Sequence, residues 1–227
     1  FIHTKNLIIS IKWLFYNYHQ FKKHLELKGY YALNISKLWL WKKDAQYFTA
    51  YNTSGSYFFI KMKTREKVNF EFKIINYMNN NFNEVKFYPE IIDSNTTNFF
   101  YNIYENIDGE KLKRSSFNIE LIDQMLSILT FFQKHKIIHR DIRPHNIVLI
   151  HNTLKLLDFE HCVINKKSIE DPLYLNENYR FSEKVWDDAF SFKKITDKYC
   201  NKKKIAVSKS YKQINSMIGK TIYESVI

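Results

Sequence analysis

Apolar and polar positions recur with different periods along this chain, and each period predicts a different element. Over residues 5–27, Ile11, Leu14, Phe15 and Tyr18 share one side of a helix, with Lys12, Lys22 and Lys23 elsewhere. From residue 35 the pattern becomes strand-like, because 37–41, 46–51 and 57–62 are rich in aromatic and β-branched residues. Thr53-Ser54-Gly55-Ser56 separates the last two runs as a hairpin turn. A helix is predicted over 64–79, with Val68, Phe72, Ile75 and Met78 on one stripe. Strand-like runs follow at 90–93 and 98–104, and Asp108-Gly109 marks a turn. The second half opens on a strong helix, 119–134, whose buried face is Ile122, Met125, Leu126, Leu129 and Phe132. Short strands at 147–150 and 154–157 flank the turn His151-Asn152-Thr153, and the remainder reads as loop and helices. A β-rich segment with one helix, then a helical segment with a small hairpin, predicts an α+β fold in two lobes.

Composition narrows this picture. At 45% hydrophobic over 227 residues the chain can bury a sizeable core, which excludes global disorder. Two cysteines, Cys162 and Cys200, cannot build a disulfide framework, so a reducing compartment is expected. The four glycines mean that any phosphate cradle must manage with very little glycine. A net charge of +12 favours anionic partners such as nucleic acid, anionic lipid, an acidic glycan or a nucleotide, without choosing among them. No apolar run approaches the roughly 20 residues of a membrane span. No signal peptide with a cleavage site is legible, although the first residue is Phe rather than Met, and a cytoplasmic chain is expected. The basic helix over 5–27 either packs on its own domain or lies on an anionic membrane, which makes a membrane-peripheral location the alternative.

The stretch richest in chemistry is His139-Arg140-Asp141-Ile142-Arg143-Pro144-His145-Asn146, between the long helix and the hairpin. Beyond the hairpin stands Leu157-Asp158-Phe159-Glu160. Here the chain resembles the protein-kinase-like superfamily: the H-R-D-x-x-x-x-N loop is complete, and Asp-Phe-Glu stands where D-F-G is usual. A lone HRD would be weak, but the added Asn, the hairpin-length gap and the Asp-Phe make the match specific. It covers about residues 35–192. It implies a single bilobal kinase-like domain: a helical extension over 1–34, an N-lobe over 35–107 and a short, mostly helical C-lobe over 108–227.

The resemblance also implies roles. Asp141 is the carboxylate that orients an acceptor hydroxyl and takes its proton. Arg143 neutralises the transferring phosphoryl group, where protein kinases commonly place Lys. Asn146 and Asp158 supply an amide oxygen and a carboxylate for Mg2+, with Mn2+ as a substitute. Arg140 braces the loop, His139 packs beneath it, and Asp188, in Trp186-Asp187-Asp188-Ala189-Phe190, anchors it from below, with Asp187 as the alternative helix cap. Phe58-Phe59-Ile60-Lys61 is similar to V-A-I-K, which gives Lys61 to the ATP α- and β-phosphates. Its acidic partner is Glu71 rather than Glu66, because Glu71 lies within the apolar stripe of the next helix. Tyr104-Glu105-Asn106-Ile107-Asp108-Gly109 resembles the segment that joins the lobes, and backbone groups at Glu105 to Ile107 then meet the adenine edge.

Three departures bear on function. The nucleotide loop, near Trp41-Lys42-Lys43-Asp44-Ala45-Gln46, lacks glycine, and Lys42 or Lys43 stands in by direct charge pairing. Glu160 replaces the glycine of D-F-G, and Leu156 to Cys162 looks like small bacterial kinases of lipopolysaccharide-core sugars, with choline and aminoglycoside kinases also similar. Only 35 residues follow Phe192, which fits a small or extended non-peptide acceptor. The leading expectation is therefore an ATP-dependent phosphotransferase acting on a sugar hydroxyl of a glycan, glycolipid or small molecule. One alternative is a Ser/Thr protein kinase, for which Arg143-Pro144 resembles the K-P of that group and Asp171-Pro172-Leu173-Tyr174 the T-P-x-Y stretch, without a following A-P-E. The other is a pseudokinase or interaction module. No specific nucleic acid is expected, because no recognition motif accompanies the charge. His135, His139 and His145 lack a closed set of metal ligands.

Overall fold

The computed structural model describes residues 2–81, 86–105, 109–165, 179–201, 208–220 and 222–224. They fall into two compact units, Phe1–Lys73 with Glu90–Ile107, and Ile74–Pro89 with Asp108–Ile227.

The first unit holds α1 (Ile2–Leu27), β1 (Tyr30–Ser36), β2 (Gln46–Asn52), β3 (Tyr57–Met62), the first half of α2 (Arg65–Asn81), β4 (Ile91–Thr96) and β5 (Phe100–Glu105). The five strands form one antiparallel sheet in the order β1-β2-β3-β5-β4. Strand alternation sorts β3 into two faces. Phe58, Ile60 and Met62 join Phe48, Ala50, Tyr101 and Ile103 in an apolar core, which Phe21 and Leu25 of α1 cover. Phe59 and Lys61 point the other way. Gly55, in the hairpin turn between β2 and β3, takes φ +79, a conformation that favours glycine.

Two expectations fail in this unit. The run 37–41 is not a strand: β1 ends at Ser36, Lys37 turns left-handed at φ 48, and Leu38–Leu40 makes one 3-10 turn. Trp41 is then drawn inward, with its Nε1–H bonded to Ser36 O at 3.0 Å and its ring 5.0 Å from Phe48 and 5.8 Å from Trp13. The sheet therefore starts at Tyr30, within the segment expected to be helical extension. The inward face of α1 also differs. Leu14 and Tyr18 do face the sheet, together with Trp13, Phe21 and Leu25, but Ile11 and Phe15 are exposed, Phe15 by 82%. The inward face buries Phe21 and Leu25 completely and also makes long-range polar bonds: Tyr18 Oη–H donates to Leu33 O at 2.8 Å, and His24 Nε2 lies 2.9 Å from Tyr101 Oη.

The second unit is built on α3 (Ile119–His135), capped by the Asn118 side chain accepting from Leu121 N–H and closed by left-handed Lys136. Its buried face is Leu121, Ile122, Met125, Ile128, Leu129, Phe131 and Phe132, whereas Leu126 is half-buried. β6 (Glu110–Lys111), β8 (Ile147–Ile150) and β9 (Thr153–Leu156) form a small sheet, and β7 (Ile137–Ile138) pairs with β10 (Val163–Ile164). Gly109 is dictated by closeness: a Cβ there would lie 3.0 Å from Leu149 O and Ile150 Cγ1. β11 (Tyr179–Arg180), β12 (Val185–Asp187) and β13 (Ile222–Glu224) make a third sheet, with α4 (Asp188–Tyr199) and α5 (Lys209–Met217) between β12 and β13. Nine described non-glycine residues have positive φ: Ala32, Lys37, Lys136, Arg140, His151, Asn152, Asp158, Asn165 and Lys184.

Phe48 is fully buried and touches Trp13, Tyr18, Phe21 and Trp41. Phe48→Ala is expected to destabilise the first unit by about 3–5 kcal/mol, read as a lower urea midpoint.

Candidate active site

In the first unit, alternation along β3 sends Lys61 to the face opposite the α1 core, and the α2 stripe turns Glu71 toward it. Lys61 Nζ lies 3.0 Å from Glu71 Oε2 and 3.3 Å from Oε1, with both side chains buried. Glu66 is exposed in the first turn of α2. A buried ion pair survives when hydrogen bonds satisfy its charges. Tyr104 is buried beside the pair, and burial, followed by the negative charge of Glu71, holds its phenol well above the usual value. Asn102 Nδ2–H donates to Val68 O at 3.2 Å and to Tyr104 Oη at 3.4 Å, tying β5 to α2.

The same face carries aromatic rings that motif reading passed over. Tyr47 and Phe59 stack at 6.0 Å, Tyr104 lies 6.4 Å from Phe59, and Lys37 Nζ sits 4.7 Å over the Phe59 ring. The signal was present, since Phe59 is two residues before Lys61 and must share its face. Lys42 and Lys43 are exposed at a turn closed by the Lys42–Ala45 bridge, whose carbonyls accept from Gln46 Nε2–H. No ion pair among the described residues engages either ammonium group. Glu105 ends β5, and its Oε1 accepts from Glu90 N–H at 3.2 Å. Ile107, and Asp171 to Tyr174, lie outside the described residues.

In the second unit, residues 139–146 link β7 to β8. Asp188, at the start of α4, accepts from His139 N–H at 2.6 Å and Arg140 N–H at 3.1 Å, while Asp187 caps the helix through Phe190 N–H at 3.1 Å. Arg140 is fully buried, with φ 65, and its Nε–H donates to His161 O at 2.6 Å. His139 is likewise fully buried: Nε2 lies 3.1 Å from Leu157 O, and Nδ1 accepts from Asp141 N–H at 3.2 Å. These partners require the Nε2–H tautomer.

Asp141 is the focus of this network. Asn146 Nδ2–H donates to Asp141 Oδ2 at 2.7 Å and to Asp141 O at 3.0 Å. Arg143 Nη2–H donates to the same Oδ2 at 3.1 Å from a half-exposed side chain. Even so, burial first and the Asp158 charge also push the Asp141 carboxyl up to about 6, against the lowering effect of Arg143 and Asn146. A carboxyl poised there accepts a proton near neutral pH. Asp158 follows β9 at φ 70 and opens the 3-10 turn Phe159–His161, with Phe159 fully buried 4.7 Å from the His139 ring. Glu160 is also buried, its Oε1 3.4 Å from His161 Nε2.

These residues fit an oxygen-seeking divalent cation. The Asn146 amide spends its N–H bonds on Asp141, which leaves Oδ1 for a cation, and the mutual repulsion of Asp141 and Asp158 is what a positive ion would relieve.

No family model matches the chain. A stretch of 109 aligned residues, 42% of the chain, is 39% identical to the dual specificity protein kinase zakA of Dictyostelium discoideum. A stretch of 89 residues, 38% of the chain, is 37% identical to the dual specificity protein kinase zak2 of the same organism. The chain spans only 13% and 14% of the lengths of these two relatives. Among solved structures, the BubR1 kinase domain matches 74% of this chain and 61% of its own, with a TM-score of 0.57 and 18% identity. The fold is that of a kinase domain, and the aligned stretches are similar in sequence to protein kinases.

The folded pKa of Asp141, about 6, exceeds its ordinary 3.8. Native protein thus binds the proton more tightly, and this group's contribution to stability falls as pH rises from 3.8 to about 6. Carbon-13 NMR of the Asp141 carboxyl is expected to show a midpoint near 6, and Arg143→Ala to move it upward.

Proposed function

We propose that this chain is an ATP- and magnesium-dependent protein kinase, which moves the γ-phosphoryl group to a hydroxyl of a protein side chain. The observation that carries the reading is the Asp141 carboxyl, buried, raised to about 6 and held by Asn146 and Arg143. Asp141 would orient the acceptor hydroxyl and take its proton as the O–P bond forms. Arg143, half-exposed on the same oxygen, would neutralise the transferring group. Lys61 would hold the α- and β-phosphates, with Glu71 fixing its ammonium. Asn146 and Asp158 would hold Mg2+, which supplies charge neutralisation on the phosphates.

The expected sugar acceptor gains no support from the relatives, which are both named as protein kinases, so the protein acceptor takes its place. Labelled ATP is expected to mark protein in an extract, and Asp141→Asn to lower that labelling by about a hundredfold or more while calorimetry still shows ATP binding. Label entering glycan alone would overturn the protein acceptor. Absence of ATP binding by the unaltered chain would favour an interaction module, the reading to which the glycine-free turn at Lys42 and Lys43 points.

A second surface supports a further reading, contact with an anionic membrane. Among the described residues no helix is long and apolar enough to cross a bilayer. The outer face of α1 nevertheless exposes Leu7, Ile8, Ile11, Phe15 and Tyr16, with Lys12, Lys22 and Lys23 also exposed on the helix. Apolar and aromatic side chains beside lysines suit the headgroup region of anionic lipid. The chain is expected to co-sediment with vesicles containing phosphatidylserine and not with neutral ones, and Phe15→Glu to abolish this. Equal sedimentation of Phe15→Glu would sink the idea, as would self-association that Phe15→Glu abolishes without any lipid effect.

A further inference from the structure

Arg140 presents an unusual burial problem. Its guanidinium has no exposed surface, and a buried cation is retained only where neighbours compensate for lost water. Part of that compensation is the 2.6 Å bond from Nε–H to His161 O. The rest comes partly from two aromatic rings: the guanidinium carbon lies 5.1 Å from the Tyr223 ring centroid and 6.0 Å from that of Trp186. The rings are contributed by neighbouring strands at one register position, since Trp186 of β12 pairs with Tyr223 of β13. Tyr223 is thus near the far end of the chain, yet it packs on the residue directly before Asp141.

The route by which the chain reaches this point is also fixed. After α5, Gly219 takes φ +80 and its N–H donates to Asp187 Oδ2 at 2.8 Å. The same oxygen accepts from Arg180 Nη1–H at 3.0 Å, and the other Asp187 oxygen caps α4. Adjacent acids therefore divide the work. Asp188 holds residues 139 and 140 by their backbone, and Asp187 holds the turn that delivers β13 to the Arg140 side chain.

We propose that β13 is a strap, with Tyr223 a positioning residue that fixes Arg140, and through it the setting of Asp141. This deepens the phosphotransferase reading and rests on it for its catalytic consequence, but the mechanical part stands alone. The face of an aromatic ring over a desolvated guanidinium is worth about 1–1.4 kcal/mol, a five- to tenfold effect. The phenol hydroxyl is not needed for this, so phenylalanine should serve.

The test uses the full chain as wild type, Tyr223→Phe, Tyr223→Leu and Gly219→Ala, with hydrogen exchange and phosphoryl transfer measured in parallel. Tyr223→Leu is expected to speed exchange of the His139 and Arg140 amides roughly five- to tenfold. It should lower kcat by a similar factor and leave the KM for ATP unchanged. Tyr223→Phe should keep wild-type values in both measurements. Gly219→Ala places a Cβ at a left-handed position, loosens the strap without touching the ring, and should reproduce the leucine variant. Unchanged exchange in Tyr223→Leu overturns the strap, and so does an equal loss in the phenylalanine and leucine variants. If the expected exchange pattern appears in a chain that transfers no phosphoryl group, the strap is supported and the phosphotransferase reading is the one overturned.

Discussion

The carboxylate of Asp188 accepts two successive backbone N–H groups, those of His139 and Arg140, and the polar network of the second unit hangs from that grip. A charge can stay buried here because both oxygens receive N–H bonds and because the first turn of a helix favours negative charge. The grip holds Arg140 in a left-handed conformation, which turns the next residue, Asp141, toward Asn146 and Arg143. His139 then closes the ring by bridging Asp141 N–H and Leu157 O. Each bond uses a group that would otherwise be an unsatisfied donor or acceptor in a dry interior.

Asp141 and Asp188 are chemically alike and nearly equally buried, yet their settings differ. Asp188 takes its bonds from the backbone at the start of a helix, whereas Asp141 faces a second carboxylate, Asp158, and leans on a partly exposed arginine. The site therefore keeps a carboxyl that is poorly stabilised as an anion. Such local inconsistency is common where a protein does chemistry, and the surrounding core must offset it. Lys61 and Glu71 show the opposite solution, two buried charges that satisfy one another.

Much of this was legible from the chain alone, for identifiable reasons. β2, β3, α2 and α3 are long and periodic, and local pattern determines them. The choice of Glu71 followed from its place in an apolar stripe, where an unpaired acid would be costly. The first 45 residues were read less well. Apolar and aromatic residues lie all round α1, so its inward face depends on what the distant sheet offers to Phe21, Leu25, Tyr18 and His24. The strand expected at 37–41 is broken by the left-handed backbone of Lys37, and the burial of Trp41 depends on Trp13 and Phe48, distant in sequence. The aromatic face of Tyr47, Phe59 and Tyr104 follows from the two-residue period of a strand, which places Phe59 on the same side as Lys61.

The nine left-handed residues among those described that are not glycine give the low glycine count a physical meaning. Outside Asn and Asp, which tolerate this region better, each holds a Cβ against its own carbonyl at about 1–2 kcal/mol, so this chain folds under a strain that glycine at those positions would escape. The strain is unevenly distributed. Ala32, Lys136, His151 and Lys184 are exposed, and glycine there would relieve it at no loss of packing. Arg140 carries the same strain inside the polar network, where relief would also remove the side chain. A glycine-poor chain thus has spare stability to recover at its exposed left-handed positions and none to recover inside its polar network.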